Sequence, residues 1–380
     1  MSDRQQDPKP SVSFFAGLVQ GGAEKQAAET ARLLHKKGHR VVFYTYDLTK
    51  AFYHPEQEIA VVDLKNHASP FPEPVDKVLS VFRLARIIRR EQPDFLVSYS
   101  TLLNVLNGLI SLINVTNRHT RHIGSERNSV LRYTNSRLWR VICTIFYRGL
   151  AALYANNVPA VDQLQTLIGL SPERTHLIPN LLDTEYFQCQ PEQNRAANSV
   201  YTILIPARIC DQKNQSILVP VAEHLKSMGC QVQFILAGSP EPVYATGLKQ
   251  QISAKQLDDY FVWTCQLEDI RHWYWTCDLV LLPSKFEGLS NSLIEAMASQ
   301  AIIMGSRIPS FTTVIQDGIN GYLIDIDQPA AISSKIEQIM HLDPQTRNKL
   351  RQNARATVLE YGPEGYYQRF MHLLDQVGIR

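Results

Sequence analysis

The stretch SVSFFAGLVQGGAEKQAAETARLLHKKGHRVVFYTY, residues 11–46, decides the fold class. Ser11–Gly17 is an apolar run, and Leu18–Ala23 carries the Gly21-Gly22 pair. Glu24–Lys37 places Ala27, Ala28, Ala31 and Leu34 at helical spacing, Gly38 stops it, and Arg40–Tyr46 is β-rich again. Strand, tight loop, helix, strand is a βαβ unit, which predicts a parallel sheet with right-handed crossovers.

Like units follow outward from it. Lys77–Arg90 reads as a helix and Asp94–Ser98 as a buried strand. Gln188–Ser199 (QCQPEQNRAANS) is polar and without apolar period, as an interdomain linker is. Beyond it a second α/β series begins. Its strands are Tyr201–Ala207, Gln231–Gly238, Asp278–Pro283 and Ala301–Gly305, and its helices Gln215–Met228, Leu289–Ala298 and Pro329–Met340. The expected fold is therefore α/β, with two doubly wound domains facing across a cleft. Ligands in such folds bind beyond the carboxyl ends of the strands.

Composition agrees. A chain of 380 residues exceeds one compact domain, and 44 % hydrophobic with 19 % charged residues excludes a disordered or fibrous protein. The net charge of +2 argues against a nucleic-acid partner, but it is unevenly divided. Residues 1–190 hold 22 Lys+Arg against 17 Asp+Glu, and residues 191–380 hold 16 against 19. The opening MSDRQQDPKP has no basic segment leading into an apolar one, and Leu102–Val115 is interrupted by asparagines and shorter than the roughly 20 residues a bilayer span needs. The six cysteines show no C-x-x-C or His partner at ligand spacing, which fits reduced thiols in a cytoplasmic protein and no metal site.

Four loops at expected strand ends carry the chemistry. In Gln20–Glu24, Gly21 and Gly22 serve either a tight turn or the close approach of a phosphate to the backbone. In Ala207–Asn214, Arg208 and Lys213 suit a diphosphate, as chelating fork and point charge, or form an ordinary solvated loop. The densest is LPSKFEGLSNSLIEAMA, residues 282–298. There a loop with Glu287 and Gly288 leads through Leu289, Ser290 and Asn291 into a helix whose first amides can meet a phosphate. Glu295, one turn inside, can accept from ribose hydroxyls, or be simply an acid favoured near a helix start. The fourth loop, Gly124–Asn128, places Glu126 and Arg127 where a strand should end.

The Glu287-x7-Glu295 spacing resembles the donor-binding signature of the family 4 glycosyltransferases, which have the GT-B fold. Further matches in order are Phe15-x5-Gly21-Gly22-Ala23-Glu24, Leu177–Asp183 (LIPNLLD), Arg208-x4-Lys213 and Gln316–Leu323 (QDGINGYL). The resemblance implies a nucleotide-sugar donor on the C-terminal domain, an acceptor on the N-terminal one, and retaining transfer without metal or other cofactor. It also assigns roles. Arg208 and Lys213 would neutralise the diphosphate, Gly288–Ser290 would touch phosphate or sugar, and Asn291 would lie beside them. Glu287 would stand near the sugar hydroxyls, Glu295 on the ribose, and the 262–266 stretch with Cys265 beside the base. Glu126, Arg127 and Glu287 are the candidates nearest the reacting centre. The implied domains are 1–188, 200–355 and a C-terminal helix over 356–380 returning to the first.

Departures from the family pattern are Gln300 and Ile302, where Gly and Pro are usual, Pro309-Ser310 and Thr313, where a Gly-Gly and a nearby acid are usual, and Arg127 in place of a His. The Ser-Glu-Arg-Asn version resembles bacterial surface-polysaccharide and lipid-linked-oligosaccharide transferases, with UDP-sugars, UDP-N-acetylhexosamines among them, favoured over GDP-sugars. An inactive GT-B partner subunit and a nucleotide-sugar epimerase are the alternatives. Arg118–Arg148 has seven arginines and one acid, interleaved with Trp139, Phe146 and Tyr147. Basic and aromatic surface suits anionic lipid headgroups, or else a solvated helix face. The expectation is a peripheral protein on the cytoplasmic face of the inner membrane, taking a glycan or lipid-linked acceptor and no nucleic acid.

Overall fold

The computed structural model describes residues 9–114, 119–127, 136–188, 200–265 and 269–378. It divides into two units, one of Met1–Leu181 with Pro363–Arg380, the other of Leu182–Gly362. The first change of unit thus falls between Leu181 and Leu182, ahead of the limit expected at 188. The linker expected over 188–199 lies, from residue 189 on, outside the described residues.

The first unit holds one parallel sheet of β1 (Val12–Phe15), β2 (Val41–Thr45), β3 (Ala60–Asp63), β4 (Phe95–Tyr99), β5 (Arg121–Glu126), β6 (Ala152–Ala155) and β7 (Thr175–Leu177). Its order, β3-β2-β1-β4-β5-β6-β7, reverses between β1 and β4. The connecting helices are α1 (Gly22–Lys36), α2 (Glu73–Glu91), α3 (Thr101–Ile113), α4 (Arg137–Phe146) and α5 (Val158–Ile168). Strands covered on both faces must be apolar on both, which explains the near-continuous runs. Phe14 packs with Ala27 and Ala31 of α1, whereas the next residue, Phe15, packs with Leu84 and Ile88 of α2.

The second unit has six parallel strands, β8 (Tyr201–Pro206), β9 (Val232–Ala237), β10 (Phe261–Cys265), β11 (Leu279–Leu282), β12 (Ile303–Ser306) and β13 (Tyr322–Ile324). Their order is β10-β9-β8-β11-β12-β13, reversing between β8 and β11. Helices α6 (Leu218–Ser227), α7 (Pro242–Ala254), α8 (Arg271–Thr276), α9 (Asn291–Ala298), α10 (Pro309–Thr312), α11 (Pro329–Met340) and α12 (Pro344–Val358) complete it.

The segment from residue 356 divides. Val358, at the end of α12, is buried in the second unit with Ala296 and Met297 of α9. The last helix, α13 (Pro363–Val377), buries Tyr366, Phe370, Leu373 and Leu374 in the core of the first unit, beside α1.

Candidate functional site

In the second unit the chemistry gathers where the strand order reverses, at the carboxyl ends of β8 and β11, the place such sheets offer to ligands. After β8 the chain turns at Arg208, whose carbonyl accepts from Gln215 Nε2 at 2.8 Å. Gly238, at the end of β9, permits this turn. A Cβ there would sit 2.1 Å from the Ala207 carbonyl oxygen. The Arg208 side chain is exposed, and no described residue binds its guanidinium.

Lys213 is differently placed. Its ammonium is paired with Glu287, whose carboxylate also accepts from Ser284 Oγ at 2.8 Å. Backbone bonds run alongside, from Lys285 N to Gln212 O at 2.9 Å, and Gln212 Nε2 donates to Phe286 O at 3.0 Å. The loops after β8 and β11 are therefore one tied structure holding Lys213 and Glu287 together.

Gly288, Leu289 and Ser290 are buried and lead into α9, whose N-cap Ser290 makes no side-chain cap. Ser292 Oγ donates instead to Pro206 O at 2.7 Å, which pins the start of α9 to the end of β8. Glu295, 8 % exposed, accepts from Tyr274 OH at 3.3 Å. Burial first, and the Glu295 carboxylate next, push the Tyr274 phenol well above its ordinary range, so it remains a donor. Cys265 closes β10, and its backbone pairs with Ala237 of β9.

The remaining candidates sit in the first unit, at the ends of β1 and β5. Gly21 caps α1 with φ −178°, extended backbone open to any residue, and its carbonyl accepts from Lys25 N at 3.0 Å and Tyr53 OH at 3.2 Å. What a side chain there would meet is Glu24 Oε2, 2.1 Å from the Cβ position.

Glu126 and Arg127 diverge. Glu126 is fully buried and accepts from Thr101 Oγ1 at 2.8 Å, Asn104 Nδ2 at 3.0 Å and the Tyr147 hydroxyl. Burial raises its pKa against these three donors. Arg127 lies over the rings of Tyr99 and Tyr154, 4.7 and 5.0 Å from their centroids, and donates to Tyr154 OH and Asn180 Oδ1. Sequence reading found neither the tyrosines around Arg127 nor Tyr274, because they are scattered along the chain and share no local pattern.

The basic-aromatic surface needs correcting. Tyr147 is fully buried on Glu126, while Trp139 and Phe146 pack against the core around Cys143. Trp139, Cys143 and Phe146 recur at helical spacing, so the aromatic residues make the inward stripe of α4. Arg118 and Arg132 of that stretch lie outside the described residues. Among the described residues, ligand atoms for a metal converge at Asp47, Asp63 and His67, where Lys65 already meets Asp47 at 2.7 Å. No described helix is long and apolar enough to cross a membrane.

Two family models match consecutive parts of the chain: Glycosyltransferase Family 4 over residues 20–186, and Glycosyl transferases group 1 over residues 188–357. The glycosyltransferase EpsD of Bacillus subtilis is 29 % identical over 42 % of this chain and 42 % of its own length. The lipopolysaccharide 1,2-N-acetylglucosaminetransferase of Salmonella typhimurium is 26 % identical over 51 % of this chain and 54 % of its own. The chain thus spans about half the length of these curated relatives. HepE of Anabaena, solved in complex with UDP and glucose, superposes with a TM-score of 0.83 at 18 % identity, covering 97 % of this chain and 100 % of that one. That likeness establishes the GT-B fold.

Proposed function

This chain belongs to the family 4 glycosyltransferases, and from that premise we propose that it is a retaining, metal-independent transferase. It takes a sugar from a nucleotide donor, UDP-linked, and extends a glycan or lipid-linked acceptor in surface-polysaccharide synthesis at the cytoplasmic face of a membrane. The observation that carries the reading is the exposed Arg208, whose guanidinium no described residue engages, at the reversal point of the second sheet, beside the start of α9 and the Lys213–Glu287 pair.

The chemistry follows from charge. A diphosphate leaving group gains negative charge as the glycosidic bond breaks, so a guanidinium and helix-start amides directed at it stabilise the transition state more than the ground state. Arg208 supplies a fork for phosphate oxygens without breaking a bond to any described residue. Lys213 arrives already positioned by Glu287, and Glu287 keeps one face for sugar hydroxyls. Glu295, held by Tyr274, stands one turn inside α9 for the ribose. UDP complexes of HepE and the N-acetylglucosaminyl transfer named for the Salmonella relative support the donor class.

The test is a panel of UDP- and GDP-sugars with thermal stabilisation and slow donor hydrolysis as readouts. UDP-sugars should stabilise and be hydrolysed. Arg208→Ala should weaken UDP roughly ten- to hundredfold, as loss of about 1.5–3 kcal/mol of charged hydrogen bonding requires. Unchanged UDP affinity in that variant would remove the site assignment.

A further inference from the structure

Among the described residues, ten of the twenty exposed large hydrophobic side chains sit on or at the head of three helices, α2, α3 and α4. On α2, Val75, Val78 and Phe82 recur at i, i+3 and i+7 with Phe71 just ahead, each between 44 and 58 % exposed. Arg86 and Arg89, both exposed, continue the same row toward the end of the helix. On α4, Leu138, Val141 and Ile145 are 68, 55 and 48 % exposed, with Arg137 and Arg140 exposed beside them.

These rows belong to one layer, because α3 packs against both α2 and α4. At the second contact the backbones nearly touch, and a Cβ on Gly108 would lie 2.0 Å from the Phe146 carbonyl oxygen. The inward sides are already filled, by Val81, Leu84 and Ile88 of α2 and Cys143 of α4. A helix layer over a sheet ordinarily turns polar residues outward. Here the outward row of α2 is apolar at one end and arginine-rich at the other, that of α4 interleaves apolar and arginine side chains, and a patch of that kind marks an interaction surface.

We propose that the outer face of α2 and α4 docks on an anionic lipid bilayer, the apolar rows entering the acyl boundary and the arginines meeting headgroups. The reading deepens the proposed function, and rests on it for the lipid-linked acceptor. Charge selects the occupant. The acids of α2 are already engaged, Glu73 by Lys50 and Lys77, Asp76 by Arg83 and Glu91 by Arg40 and Arg90. The α4 helix has no acid at all. A two-fold pairing of this face with a second copy would set arginine against arginine, whereas lipid phosphates complement it.

The test is co-sedimentation of the full chain with phosphatidylcholine vesicles, with and without phosphatidylglycerol. The protein should pellet with the anionic vesicles only. Val78→Glu with Phe82→Glu, and separately Leu138→Glu with Ile145→Glu, should each cut binding tenfold or more while melting temperature and UDP affinity stay unchanged. The substituted side chains are exposed, so the fold should tolerate them. Failure of the parent protein to pellet, equal pelleting with neutral vesicles, or undiminished binding by both variants would overturn the proposal. So would a dimer in solution that these substitutions dissolve. Donor hydrolysis read without vesicles reports on the transferase assignment independently.

Discussion

At Gln300 the chain departs from the glycine usual in its family, and the structure shows what that departure costs. Gln300 takes φ +57° just past α9. Its amide donates to Met297 O at 3.1 Å and the Ala301 amide to Ala296 O at 3.0 Å, the paired bonds of a Schellman termination. Only glycine adopts this left-handed conformation without a Cβ penalty, which is about 1 kcal/mol or more. Gln300→Gly should therefore stabilise the second unit by about 1 kcal/mol, read as a higher urea midpoint at unchanged slope. UDP affinity should not move, since the departure concerns helix termination. The same scale separates the two cations of the Arg208-x4-Lys213 spacing. Sequence marked both alike, yet among the described residues one has no partner and the other is bound to Glu287, a difference set by a loop 74 residues away in the chain.

Elements read well from sequence where their periodicity was undisturbed, and poorly where polar groups enter the core. The opening βαβ unit, α11 and four strands of the second sheet, β8, β9, β11 and β12, were legible within a few residues, whereas β10 and β13 were not read as strands. Helix α3 was not, because it buries Asn104 and Asn107 against β4 and β5 instead of an apolar stripe. Asn107 Nδ2 donates to Ser98 Oγ and Ile123 O, both at 3.0 Å, and its Oδ1 accepts from His122 Nδ1 at 2.7 Å. No local pattern announces side chains that replace packing by hydrogen bonds across elements. This seam has a pH signature. Burial lowers the His122 pKa from 6.5 to about 4, so between those values the unfolded chain takes up a proton that the native one refuses. The neutral imidazole's contribution is complete above pH 6.5 and is lost as pH falls toward 4, at up to about 1.4 kcal/mol per pH unit. Burial shifts His39 and His176 in the same direction, which steepens the overall acid slope. Urea unfolding of the parent protein and His122→Gln at pH 7, 6 and 5 isolates the one group. The variant should lose less stability on acidification, and parallel slopes would refute the assignment.

At the scale of the whole molecule, the two units differ in how the chain builds them. The second is continuous, Leu182–Gly362, whereas the first needs the separate piece from Pro363 onward. Helix α13 supplies Tyr366, Phe370, Leu373 and Leu374 to the first core, each 2 % exposed or less. Tyr366 OH also bonds Thr30 Oγ1 of α1 at 2.8 Å, and His39 Nε2 meets Tyr367 OH at 3.0 Å. Four large side chains at about 1.5–3 kcal/mol each amount to roughly 6–12 kcal/mol, comparable to the entire stability of an ordinary domain. A chain ending at Gly362 should therefore lose the first unit, exposing Phe14 and Tyr154, while the second keeps its contacts. Limited proteolysis of that truncated chain should leave a resistant fragment close to 182–362 that still binds UDP, because Arg208, Lys213, Glu287 and Glu295 all lie within it. Residues 1–181 expressed alone should be insoluble, and co-expression with a 363–380 peptide should partly restore them. A first unit that folds without the last helix would mean that the terminal segment merely covers a core already closed by the seven strands and α1, and its aromatic residues would then tolerate substitution to alanine at less than about 1 kcal/mol each.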